Sequence, residues 1–80
     1  MDDHMLDRIK DDIKLCFMLV QMEEERETKF NIKEDLNYKA ASVLISAYNK
    51  LVELYYLPEY RKTYSISRVD IAYKNYKYMQ

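Results

Sequence analysis

No glycine occurs anywhere in the 80 residues of this sequence. Glycine supplies positive φ and close backbone approach, so its absence excludes P-loops, dinucleotide-binding loops, nucleophile elbows and the usual two-residue hairpin turns. One Cys and one His likewise exclude the common zinc frameworks and any internal disulfide. Leu, Ile, Val and Phe make up 20 of the 80 residues, enough apolar content for a packed core rather than disorder. The length allows one domain at most. A domain of this size buries only about 60% of the surface its unfolded chain exposes. With neither disulfide nor metal as a staple, it depends on good helix packing or on oligomerisation. A homodimer is therefore expected.

Helical periodicity supplies the architecture. Leu6, Ile9, Ile13, Cys16 and Val20 recur at alternating spacings of three and four, one apolar stripe along a helix predicted over 3–28. Asp7, Lys10, Asp11, Lys14, Gln21 and Glu25 fall opposite it. Leu15, Met18, Leu19 and Met22 form a second apolar strip, so the middle of this helix is apolar nearly all round. Acids at Asp2 and Asp3 suit the positive end of its dipole. A short turn follows, and Asn31 with Glu34 forms a capping pair for a second helix over 32–57, stopped before Pro58. That helix has a narrow polar stripe (Lys39, Ser42, Ser46, Asn49, Glu53) between two apolar lines. One line is Leu36, Ala40, Val43, Ala47 and Leu54; the other is Ala41, Leu44, Tyr48, Leu51 and Tyr55. A helix so apolar must be covered on at least two sides.

Residues 58–66 read as a connector, and Ser67 with Asp70 forms a capping box for a third helix over 68–79. Val69, Ala72, Tyr73 and Tyr76 line its inner face. The alternation of Tyr64, Ile66, Val69, Ile71 and Tyr73 also suits a strand, but no partner strand is evident, and helix is the reading adopted. The expected fold is all-α: a long antiparallel helical hairpin with a short C-terminal helix, pairing with a second copy into a four-helix core. The residues expected at that dimer interface are Met18, Met22, Leu44, Tyr48, Leu51 and Tyr55.

Charge and aromatic residues divide along the chain. Residues 1–36 carry 11 acids and 6 bases, and residues 37–80 carry 3 acids and 7 bases together with all nine Tyr. Tyr60, Arg61, Lys62, Tyr64, Lys74, Lys77 and Tyr78 combine exposed rings with cations, the composition favoured in protein interfaces. They are the expected partner-binding residues. The same chemistry could neutralise phosphates and stack on bases, making a nucleic-acid-binding regulator the alternative. A further alternative joins Asp2, Asp3, Asp7, Asp11, Asp12 and the Glu23–Glu27 run into a mimic of nucleic-acid phosphates, although Lys10, Lys14 and Arg26 interrupt it.

His4 between Asp3 and Asp7 lacks the closure of a metal site, and Cys16, mid-stripe with no neighbouring His, reads as a small hydrophobe. No catalytic residue, cofactor or metal is expected. The lone Cys, the acidic N-terminus and the absence of a long apolar run point to a cytoplasmic, non-membrane protein. Richness in Lys, Asn, Ile and Tyr without Gly suggests an AT-rich genome, where small helical proteins of phages and mobile elements are frequent. The expected function is a non-enzymatic, protein-binding regulator or inhibitor that occludes its partner.

Overall fold

The computed structural model describes residues 3–79, the side chains of Asp3 and Pro58 excepted; Asp2, expected at the first helix start, lies outside the described residues, as does the side chain of Asp3. Among them every regular element is helical, with no strand. Helix α1 spans Asp3–Arg26, α2 Leu36–Tyr55, the single turn α3 Arg61–Tyr64, and α4 Val69–Tyr78. Two 3₁₀ turns, Ile32–Glu34 and Pro58–Tyr60, precede α2 and α3. The C-terminal segment is thus helix, not strand.

The start of α1 at Asp3 is the expected one, and the other boundaries depart by one to four residues from the periodicity, for local reasons. Helix α1 stops at Arg26 because Glu23, Glu24, Glu25 and Glu27 crowd the negative end of its dipole. Asn31 accepts from the Lys33 backbone N–H and so caps the 3₁₀ turn rather than α2. The cap of α2 is Asp35, whose Oδ1 accepts from the N–H groups of Asn37 at 2.8 Å and Tyr38 at 3.1 Å. At the other end Tyr56 turns extended, with φ −107° and ψ 149°. Pro58 disfavours helical backbone in the residue before it. The Ser67–Asp70 box does not form: Arg68 is the N-cap of α4 and makes no side-chain cap. The box is one residue out of phase, leaving Asp70 in the first turn, where it meets the dipole and the Arg68 guanidinium at 3.6 Å.

The core lies where α1, α2 and α4 meet. Leu6 packs with Tyr48 and Val52, while Ile13, Phe17 and Val20 pack with Ala41, Ile45 and Tyr73. Val20 and Val52 are fully buried, each such side chain stabilising the fold by roughly 1.5–3 kcal/mol. On α1 the expected Leu6, Ile13 and Val20 are buried, Ile9 and Cys16 half-buried, and Phe17 joins them. On α2 the buried set is Ala41, Ile45, Tyr48 and Val52. Of its two expected apolar lines, Leu36, Ala40, Val43, Ala47 and Leu54 stay at the surface. The inner face of α4 is the expected one, with Tyr73 buried and Val69, Ala72 and Tyr76 half-buried against the core.

Candidate functional site

The placement of the C-terminal part depends on one polar side chain. Asn49 Nδ2 donates to the Ile66 carbonyl at 2.9 Å, and the Ile66 N–H donates to Asn49 Oδ1 at 2.8 Å. An asparagine amide pairs with a peptide group in this way because it carries both donor and acceptor in one plane. The clamp holds the extended 65–68 connector across α2 and lets Ile66 pack on the core. From there α4 runs along α1, where Phe17 meets the rings of Tyr73 at 5.3 Å and Tyr76 at 5.6 Å. Near its far end Lys77 pairs with Glu24 at 3.2 Å, and its Nζ lies 4.6 Å from the centre of the Tyr73 ring. Among the described residues the buried Tyr73 hydroxyl has no hydrogen-bond partner of good geometry, and burial, then the Glu24 carboxylate beside it, pushes its pKa up to about 12.

The expected partner-binding residues divide between two places. Tyr60, Arg61, Lys62 and Tyr64 sit where α2 ends, exposed beside Tyr55 and Leu57. Tyr64 has an internal role there, its ring 4.5 Å from that of Tyr56. Lys74, Lys77 and Tyr78 are at the opposite end of α4, whose ten residues span about 15 Å. Lys77 is engaged with Glu24, while Tyr78 is 88% exposed. One continuous basic-aromatic surface is therefore not formed. The residues around 55–62 make the denser cluster.

The expected dimer-interface residues are also distributed unequally. Met18, Met22 and Tyr55 are exposed, and Leu44 and Leu51 half-buried. Tyr48 is corrected by the structure: at 1% exposure it belongs to the core with Leu6 and Val52, with the Lys10 ammonium 5.5 Å from its ring centre. Its hydroxyl-bearing ring fits the interior of one chain and has no surface left for a second. A more prominent feature replaces it. Leu36, Val43 and Leu54 are 79%, 69% and 64% exposed in one line along α2, with Ala40 and Ala47 between them.

An open groove of about 570 Å³ runs between α1 and the C-terminal part, with Ile13, Phe17, Ile66 and Tyr76 in its walls and Lys10 and Lys14 at the rim. Cys16 is half-buried, and burial, then the Asp12 carboxylate, raises its thiol pKa, which lowers its reactivity. Among the described residues no group of three or more His, Cys, Asp or Glu is arranged to hold a metal ion. Part of the acidic run is neutralised within the chain, Glu23 by Arg26 and Glu24 by Lys77. Asp7, Asp11 and Asp12 remain exposed with Lys10 and Lys14 among them. No described helix is long and apolar enough to cross a membrane. No protein-family model, curated protein or solved structure matches the chain.

Proposed function

We propose that this chain is a small, non-enzymatic protein-interaction module: a cytoplasmic regulator or inhibitor that acts stoichiometrically by covering part of a partner protein. In this reading its two long helices form an antiparallel hairpin, and two hairpins join as a homodimer. One observation carries the partner-binding assignment. Where α2 ends, Tyr55, Leu57 and Tyr60 are half exposed or more, beside the exposed Arg61 and Lys62. Tyr and Arg dominate the energetics of protein interfaces, because a rigid ring with a polar tip and a planar cation give large contact at low entropic cost. A soluble surface has little other reason to gather them.

Affinity capture from the source cells tests this. The wild-type chain should retain a specific partner, and the charge-reversed variant Arg61→Glu/Lys62→Glu should lose it without loss of helicity, since exposed charges contribute little to folding. A chain that captures no protein but retards single-stranded or duplex DNA, with affinity falling steeply as salt rises, would be a nucleic-acid-binding regulator instead.

A further inference from the structure

We infer that the face of the α1–α2 pair turned away from α4 is the seat of a second copy of this chain, with α2 of each copy lying on α1 of the other. The inference rests on the dimeric reading above and assigns that dimer its surface and its pairing.

Position comes first. The C-terminal part covers α2 on the side of Ser42, Ile45 and Asn49, and covers α1 on the side of Ile13 and Phe17. In α1, Leu15, Leu19 and Met22 lie well around the helix from Phe17; in α2, Leu36, Ala40, Val43, Ala47 and Leu54 lie well around it from Asn49. Half-buried Leu19, Leu44 and Leu51 join the two strips across the helix–helix seam. The result is a face two helices wide, apolar along α2 and through the middle of α1, where the line of Leu15, Leu19 and Met22 runs into Asp12 and Arg8 at one end and Arg26 at the other. On α2 its positions 36, 40, 43, 47, 50 and 54 alternate by four and three, the repeat of a helix packed lengthwise on another helix. On α2 Lys50 alone interrupts the line, at an edge where a long stem can lie on apolar surface with its ammonium in water.

Size comes second. Helix α2, at 20 residues, is about 30 Å long, and two helices packed 8–10 Å apart are roughly 20 Å wide. Such a face offers about 600 Å² per copy, or about 1,200 Å² in total, the lower bound for a specific interface.

Charge decides the occupant. The outer edge of α1 is mainly acidic (Asp7, Asp11 and Glu25, with Lys14), whereas the outer edge of α2 carries Lys39 and Lys50, with Glu53. Among the described residues, none of these groups is in a salt bridge within the chain. A two-fold axis parallel to the helices lays the edge of α2 beside the acidic edge of α1 from the second copy, twice over, as a closed isologous dimer requires. The perpendicular two-fold would set acid against acid and lysine against lysine. In the favoured pairing Lys50 comes level with Asp7 and Asp11 of the second copy.

Sedimentation equilibrium of the full chain tests surface and pairing separately. Wild type should give twice the 9.8 kDa chain mass at tens of micromolar, an order-of-magnitude choice for modest interfaces. Val43→Asp should weaken association at least about 100-fold while circular dichroism shows helicity retained, because residue 43 is exposed in the single chain. Lys50→Glu should weaken association about tenfold, and adding Asp7→Lys and Asp11→Lys should restore it. A wild-type monomer overturns the dimeric reading itself. A dimer indifferent to Val43→Asp overturns the face but not the dimer. Sensitivity to Val43→Asp without rescue by the charge swap overturns the pairing of α2 on α1.

Discussion

The two sides of α2 are equally apolar and meet opposite surroundings. Ala41, Ile45, Tyr48 and Val52 lie against α1 and α4 and are shut off from water, whereas Leu36, Ala40, Val43, Ala47 and Leu54 face outward. Composition does not separate them. What separates them is the amount of covering material. The C-terminal part brings only the ten residues of α4 and the connector carrying Ile66, enough for one groove of the helix pair. In a chain this short, apolar helix surface outruns the chain's capacity to bury it. The first side is therefore an answer to folding, and the second is the side proposed above for association.

Tyr48→Ala set against Val43→Ala is the widest test of that contrast. Loss of the Tyr48 ring should lower the unfolding free energy by about 3–5 kcal/mol, enough to leave a marginal domain unfolded. At dilutions where the chain is monomeric, Val43→Ala should change it by less than about 0.5 kcal/mol. Urea titrations give both values, and comparable losses would break the distinction between the two sides.

A smaller effect sharpens where the covering comes from. Asn49→Ala removes both hydrogen bonds to Ile66 and should cost about 1–3 kcal/mol. Amide hydrogen exchange should accelerate through 65–78, while the amides of α1 and of the buried side of α2 keep most of their protection. Equal acceleration in all three helices would mean that the C-terminal part is no separate cover but one cooperative unit with the rest.

The smallest effect concerns Tyr73. Among the described residues its buried hydroxyl has no hydrogen-bond partner of good geometry, so Tyr73→Phe should leave stability at pH 7 within about 0.5 kcal/mol of wild type. In the folded state the phenol holds its proton to about pH 12, against about 10 when unfolded. Its contribution is therefore complete below about pH 10 and is lost as pH rises from there through 12, because the unfolded chain releases the proton first. Absorbance titration should show a tyrosine ionising near pH 12 in wild type, and that step should be lost in Tyr73→Phe. A cost above 1 kcal/mol at pH 7 would instead reveal a working hydrogen bond to the hydroxyl.

Much of this arrangement is readable in the sequence, and the unread parts share a cause. Spacings of three and four locate Leu6, Ile13 and Val20, and the aromatic face of α4 follows from Val69, Ala72, Tyr73 and Tyr76. Phe17 falls one residue beyond Cys16 in the stripe, and its weight comes from Tyr73 and Tyr76, more than fifty positions away. Periodicity reads Asn49 as one more polar residue of a solvated stripe, yet it lies under the connector, because only tertiary packing decides which polar side chain meets an unpaired peptide. The two-line reading of α2 errs likewise: it identifies apolar positions but cannot count the residues available to cover them. In the candidate contact surface, residues 60–64 and 74–78 share composition but not place, since α4 carries the second group away from the first.

None of the described residues has a positive φ. In a chain without glycine this means that every connector, from the two 3₁₀ turns to the extended 65–68 segment, uses backbone that ordinary L-residues adopt freely. No loop position is reserved for a residue lacking a side chain. Connector sequences can therefore vary widely at little conformational cost, whereas fidelity to this fold rests on a few side chains that do what a glycine turn does elsewhere: Asp35 opening α2 and Asn49 holding Ile66. Among diverged variants of this chain, the mark of descent would lie in those two polar positions and not in any turn motif.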